Sequence, residues 1–323
     1  MDAMGGDRGP RAVLAGMNKV AKKFPNSQFI IHGDKAAIAP PLQRYKLLRQ
    51  RCQIKHTDQV VSMDAKPSQI IRNGRDSSMW KTIESLKEGF STVAVSCGNT
   101  GALVATSLFN LKKSPGVSRP AIACLCPSSN PAGYNVLLDA GADIRANKDD
   151  LLCFSILGNQ FAKYGLSINN PRVGILNVGT ESHKGRPEIK AAYDLVNQIQ
   201  ENYGFEFVGF VEGTDIFSSA VDVIVTDGFT GNTAIKSSEG AALVIRKNLR
   251  EAFQYTPFSR IGGFFAYTSL RRFFKKIDPR QSNGGVLLGL EGVVIKSHGG
   301  SDPVGIAAAI TLGLKLANSK NLC

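Results

Sequence analysis

Short apolar, β-branched runs alternate with helix-patterned segments along the whole chain, and this alternation restricts the fold more than any other feature. A run such as VDVIV (221–225) has the continuous apolar character of a strand covered on both faces. Strands are expected at 28–32, 53–56, 92–96, 121–126, 136–138, 172–178, 205–212, 221–226 and 293–297. Helices are expected near 10–24, 35–50, 67–88, 99–112, 149–164, 187–203, 232–254 and 303–318. The predicted architecture is α/β, a three-layer, doubly wound, mostly parallel sheet. No low-complexity linker divides the 323 residues, so a single domain over 1–323 is expected.

Two strands run into the same kind of turn. TVAVSCGNTGALVAT (92–106) and DVIVTDGFTGNTAIK (222–236) each pass from an apolar strand through Gly-x-Thr-Gly into a helix-forming segment. Glycine at such a turn lets backbone N–H groups approach an anion, and the following helix start adds its dipole. Gly-x-x-Gly also occurs as GDRG (6–9) and GLEG (289–292). In open α/β sheets ligands collect at the carboxyl ends of strands, where these turns are expected. Two further stretches place polar groups after strands: NVGTESHKGRPE (177–188), with Glu181, His183 and Lys184, and the segment ending in Lys296 and His298.

Several function classes lack their signatures. The chain has no Gly-x-Gly, no Gly-Lys pair and no Gly-x-Ser-x-Gly, which sets aside the simple dinucleotide fingerprint, the P-loop and the nucleophile elbow. Six cysteines are scattered without a Cys-x-x-Cys, and no two of the four histidines stand at metal-ligand spacing. Reduced, buried thiols, no metal and no cofactor are expected. The N-terminus lacks a signal pattern, and the longest apolar run, 304–314, is far short of the ~20 residues of a membrane span. A cytoplasmic protein is expected.

A formal charge of +13 calls for a polyanionic partner or surface. Between 246 and 280 nine Lys and Arg face two acids. Within this stretch Leu270, Phe273, Phe274 and Ile277 repeat at helical spacing, interleaved with Arg271, Arg272, Lys275 and Lys276. A basic amphipathic helical segment at about 255–279 is expected to lie on an anionic membrane, with Phe264 and Phe265 inserting beside those cations. No nucleic-acid-binding framework accompanies the charge, so no nucleic acid is expected.

Seven stretches in order make the chain similar to the bacterial phosphate acyltransferase family. They are DAMGGD (2–7), SCGNTGA (96–102), SRPAIA (118–123), LLDAGAD (137–143), RVGILNVGTESHKG (172–185), TDGFTGN (226–232) and GGVLLGLEGVVIKSHG (284–299). The resemblance implies transfer of a long acyl chain from acyl carrier protein to inorganic phosphate, for phospholipid synthesis. It also implies a homodimer whose fold resembles isocitrate and isopropylmalate dehydrogenases, without their cofactor. The product would pass to a membrane acyltransferase downstream. The chain departs from the family pattern in three ways. Cys97 replaces a small residue, Asp143 replaces an asparagine, and only Met1 precedes DAMGGD where an apolar strand is usual, so that sheet edge is expected to be incomplete.

Chemistry on the residues agrees with that resemblance. Phosphate is already an anionic nucleophile, and a thiolate of pKa roughly 8.5 leaves with little acid help. Holding the phosphate and stabilising the tetrahedral oxyanion are what remain. Lys184, Asn232 and His298 are the candidate catalytic groups: Lys184 offers charge to the dianion, Asn232 a neutral donor, and His298 a proton or a hydrogen bond. Phosphate or substrate is expected among Gly98, Asn99, Thr100 and Gly101 in the first turn. The second set is Asp227, Gly228, Thr230 and Gly231, together with Lys296. Two other readings stay open: a phosphotransacetylase-like transfer from acyl-CoA, and a basic nucleic-acid-binding protein.

Overall fold

Connection length decides which strands run parallel, because a hairpin reverses the chain and a helical crossover restores it. A computed structural model describes residues 1–274, the backbone of 275 and 276, residue 278 and residues 283–318. The chain opens with α1 (Gly9–Lys23), β1 (Phe29–Gly33), α2 (Lys35–Leu42), α3 (Lys46–Arg49) and β2 (Cys52–His56). Then come α4 (Pro67–Asn73), α5 (Ser78–Lys87), β3 (Val93–Ser96), α6 (Thr100–Asn110), β4 (Ala121–Pro127) and β5 (Tyr134–Leu138). The next elements are α7 (Lys148–Gln160), β6 (Arg172–Leu176), α8 (Pro187–Tyr203), β7 (Glu206–Val211), β8 (Val223–Val225) and α9 (Gly228–Gln254). Last are α10 (Pro257–Phe265), α11 (Tyr267–Lys276), β9 (Gly285–Leu288), β10 (Val293–Lys296) and α12 (Pro303–Asn318).

Eight strands form one sheet in the order β3-β10-β9-β4-β5-β8-β6-β7, and β1 and β2 form a parallel pair. The outer pairs are parallel, but β10-β9, β9-β4 and β4-β5 are antiparallel. Two short turns cause this: 128–133 joins β4 to β5, and 289–292 joins β9 to β10. GLEG is therefore a hairpin turn, with Gly289 at φ 89° where a side chain would be strained. β9 itself is an addition to the strands expected from sequence. Its four residues, GVLL, sit in a glycine-rich stretch and are buried on both faces.

Alternate strand residues divide between two layers, as a doubly wound sheet demands. Val136, Leu138, Val286, Leu288, Val293 and Ile295 pack with residues of α1, α7, α8 and α12. On the other face Ile122, Leu287 and Val294 pack with residues of α5 and α6. Residues 1–3 run between β1 and β3. The N–H of Asp2 donates to Val95 O (3.0 Å) and the N–H of Ala3 to His32 O (3.0 Å), tying the two sheets together at the edge expected to be incomplete.

Helix ends differ from the sequence expectation where caps intervene. The 67–88 helix divides because Gly74 ends α4 and Ser77 caps α5 by accepting from the N–H of Trp80. Pro40 and Pro41 near the end of α2 lack N–H groups, and the 35–50 helix stops at Leu42. α9 starts at Gly228, four residues before the expected 232, because Asp227 accepts from the N–H of Thr230 (2.8 Å). The expected 255–279 helical segment is two helices, α10 and α11, separated at Ala266. Ile277 and Arg280, and the side chains of Lys275 and Lys276, lie outside the described residues.

His32 generates a pH prediction. It is 2% exposed, with Nε2 2.9 Å from Ser85 Oγ. Burial is the largest cause lowering its pKa to about 3, helped by positive charges including Lys55 and Lys81. In the unfolded chain it would titrate near 6.5, so the native state gives up stability as pH falls from about 6.5 towards 3. One such group costs up to about 1.4 kcal/mol per pH unit in that window. Denaturant melts from pH 7 to 4 should show a shallower decline for His32→Gln than for the parent chain, and parallel declines would refute the assignment.

Candidate functional site

Asp139, directly after β5, builds the platform for the site. Its carboxylate accepts the N–H groups of Ile122 (2.9 Å), Gly141 (3.1 Å), Ala142 (2.9 Å) and Asp143 (3.0 Å), folding 139–143 into a tight turn. Burial pushes this carboxyl above the usual carboxylate range, and the four N–H groups oppose that shift. The first turn of α9 rests on this platform. A Cβ at Gly228 would lie 1.9 Å from Asp143 O, and one at Gly231 1.9 Å from Asp139 O. Asp227 also pairs with Arg186, which pins the loop after β6 to the start of α9.

The other glycine turn is packed in a similar way. Asp2 accepts Ser78 Oγ (2.7 Å) and Ser96 Oγ (2.6 Å), and Ser96 Oγ in turn accepts the N–H of Gly98 (3.0 Å). A Cβ on Gly98 would meet Met79 at 2.5 Å, and Gly101 packs against Pro67. Asn99 caps α6 through the N–H of Ala102 (2.9 Å) and donates its amide to Met63 O and Ala65 O. Packing and capping thus account for Gly98, Asn99, Gly228 and Gly231, and Thr230 serves through its backbone N–H.

A cavity of about 620 Å³ lies between the antiparallel centre of the sheet and α9. Ile122, Cys124 and Cys126 of β4 line one wall, and Ile235, Ala242 and Ile245 of α9 line another. Ile216, Phe217 and Phe273 add to the apolar lining. The polar lining includes Thr100, Asn232, Lys236, Asn283, Lys296 and His298, with Glu239 as its acid. Thr100, Asn232 and the Lys296–His298 segment, which are far apart in sequence, therefore line one cavity. Lys184 is not among the lining residues; its ammonium pairs with Glu181 Oε1 at 2.7 Å. Phe273, expected to face a membrane, also lines the cavity and is 41% exposed.

Electrostatics on the polar side favour an anion. Lys296 donates to Ser297 O, and burial lowers its pKa, with Lys236 adding repulsion. His298 is likewise lowered, first by burial and then by Lys236. Lys236 was not singled out from the sequence. Its spacing of four from Asn232, which puts both on one helix face, was the available signal. Burial raises Cys97 to about 11 and Cys126 to about 12, and Cys124 rises as well, so these thiols stay protonated. Asp143 forms an ion pair with Arg119, a use its usual asparagine would lack. Among the described residues no group of three His, Cys, Asp or Glu is placed to hold a metal ion.

A family model described as fatty acid synthesis protein matches residues 1–322. A protein of Jannaschia sp. (strain CCS1) named phosphate acyltransferase is 56% identical over 317 residues, 98% of this chain and 87% of its own length. One of the same name from Roseobacter denitrificans is 57% identical over 318 residues, 98% of this chain and 89% of that one. In fold the chain is similar to a branched-chain phosphotransacylase from Enterococcus faecalis V583. Their TM-score is 0.62 at 12% identity, covering 98% of each chain. A phosphotransacetylase from Streptococcus pyogenes gives 0.63 at 17% identity, covering 95% of this chain and 90% of that one.

Gly231 separates packing from anion binding. Gly231→Ala forces a methyl into backbone and should cost about 1–3 kcal/mol or more, read as a lower thermal midpoint. An unchanged midpoint with weaker phosphate binding would instead return this glycine to the anion-cradle role.

Proposed function

The chain belongs to the phosphate acyltransferase family, enzymes that transfer an acyl group to phosphate in fatty acid and phospholipid synthesis, and we propose that its donor is a long-chain thioester of acyl carrier protein. The observation that carries this reading is one cavity with an apolar body and a cationic side. Its volume of about 620 Å³ falls within the ~300–1,000 Å³ of ligand sites. The acyl chain lies along Ile122, Ile235, Ala242 and Ile245, with the thioester turned to Asn232, Lys296 and His298.

A phosphate oxygen attacks the thioester carbonyl carbon, a C–O bond forms, and the carbonyl electrons move onto oxygen. Collapse breaks the C–S bond and releases acyl phosphate and a thiolate, which takes a proton from solvent. Asn232 and the Lys296 ammonium are the donors for the developing oxyanion. His298, lowered below its ordinary value, is uncharged near neutrality and serves as a hydrogen-bond donor to phosphate. The basic charge of +13 suits an acidic carrier protein better than a small nucleotide thioester.

α9 and the two helices after it supply the assembly contacts in this reading. In the 27-residue α9 only Gly228 and Gly231 are buried, and Leu243 and Val244 are more than half exposed. A second copy of the chain covers this face in the proposed homodimer. Phe264 and Phe265, 78% and 79% exposed, stand on α10, and Arg271 and Arg272 are exposed on α11. These form the peripheral contact with an anionic membrane, each cation adding about 1 kcal/mol. No described helix is long and apolar enough to cross a membrane.

Two measurements test the proposal. Turnover on palmitoyl-acyl carrier protein should exceed that on palmitoyl-CoA at least tenfold, and Ala242→Phe should shift preference to shorter chains. Equal or better use of the CoA ester would favour the phosphotransacetylase-like reading. Flotation with anionic liposomes should fall sharply in the Phe264→Ser/Phe265→Ser double variant, and undiminished flotation would remove these rings from the contact.

A further inference from the structure

Lys236 and His298 meet in a way that leaves a place for an oxyanion. Lys236 Nζ lies 2.8 Å from His298 Nε2. The other ring nitrogen, Nδ1, accepts the N–H of Gly300 at 3.0 Å, while the backbone N–H of His298 donates to Asn283 Oδ1 at 3.2 Å. A neutral imidazole carries one N–H and one lone pair. With the Nδ1 lone pair taken by Gly300, the hydrogen sits on Nε2 and points towards the Lys236 amino group. An ammonium and an N–H then face the same space, and neither can accept from the other. An oxygen lying to one side of the pair, within reach of both nitrogens, accepts from both.

We propose that Lys236 is a substrate-contacting residue which, with the Nε2–H of His298, clamps one oxygen of the incoming inorganic phosphate. This rests on the reading of the cavity as the acyl-transfer site and adds to it a cation on α9. Asn232 stands one turn before Lys236 and lines the same cavity, so one helix face offers an amide and an ammonium together. The groups facing the clamp are Glu239 on α9, Lys296 on β10, and Asp7 from the N-terminal loop. Glu239 Oε2 accepts from Lys236 at 3.4 Å and offsets part of its charge. A phosphate dianion entering there meets two lysines and a neutral histidine, with Glu239 and Asp7 opposing them, so the donors of Lys236 and His298 rather than net charge make the clamp.

The alternative is that Lys236 is only the exposed i, i+3 partner of Glu239, a pair of little energetic weight. Titration of the full chain with inorganic phosphate, followed calorimetrically without any acyl donor, separates the two. Lys236→Ala should weaken phosphate binding at least tenfold with its thermal midpoint unchanged. Lys247→Ala, which removes another exposed α9 cation paired to Glu251, should leave binding within twofold. In turnover assays Lys236→Ala should raise the KM for phosphate and leave the KM for the acyl donor within about twofold. Equal phosphate affinity in Lys236→Ala and parent overturns the clamp, as does equal weakening in both variants. Because binding is read without a donor, a failure of the carrier-protein assignment appears only in turnover and leaves this test intact.

Discussion

The buried carboxylate of Asp139 is the constraint on which the site depends. An ionised carboxyl taken out of water is costly unless its lone pairs are satisfied, and here four backbone N–H groups satisfy them. The turn they create exposes the carbonyls of Asp139 and Asp143 to the first turn of α9, which can approach only because positions 228 and 231 lack a Cβ. That approach sets where the rest of α9 runs. Asn232 and Lys236 reach the cavity because of it, and Ile235, Ala242 and Ile245 become its apolar wall. Asp139 itself has no lone pair left for chemistry, so a conspicuous buried acid next to the site is structural.

Much of the fold was legible because its signals are local. Strand and helix composition, together with turn residues, marked nine of the ten strands among the described residues and the α/β class, since alternation of short buried strands with helices leaves few architectures. The antiparallel centre was not legible. β9 is four residues long and shares its glycine-rich surroundings with the following hairpin, so neither length nor periodicity separates it from a loop. Of the site residues expected from sequence, Thr100, Asn232, Lys296 and His298 line the cavity and Lys184 does not. Glycine-rich turns at strand ends look alike in sequence whether backbone approaches an anion or another backbone, and the 1.9 Å approaches at Gly228 and Gly231 supply a packing reason for those two glycines. Lys184 and Lys296 have the same strand-end signature in sequence. One pairs with Glu181 and the other lines the cavity, a difference set by loop geometry.

The helices from α9 to α11 join two tasks that the sequence presents separately. Phe273 sits in the stretch read as membrane-facing, yet its ring helps enclose the cavity while Phe264 and Phe265 stay in solvent. Phe274 is held by the Arg246 guanidinium 5.8 Å from its ring centroid, which ties α11 back to α9. One continuous stretch thus carries polar donors near its start, a cavity wall along its middle and exposed aromatics beyond. In the proposed reaction a chain bound in the cavity is already against the helices proposed to meet lipid, so an amphiphilic product would not cross water unaided.

The chemistry of the cavity also limits the route of transfer. A covalent acyl-enzyme requires a nucleophile poised near neutral pH. The two thiols that line the cavity, Cys124 and Cys126, are pushed the other way by burial, and no charged partner is hydrogen-bonded to either sulfur among the described residues. His298 has its Nδ1 committed to Gly300, so it cannot be oriented by a carboxylate as the base of a triad is. The arrangement is rich in donors and poor in bases. Such a site gains little from deprotonating a side chain and much from concentrating an oxyanion beside a carbonyl, which is what direct attack by phosphate requires. Lys236 and His298 are exposed, so inorganic phosphate can reach them from solvent while the acyl chain lies against the apolar lining.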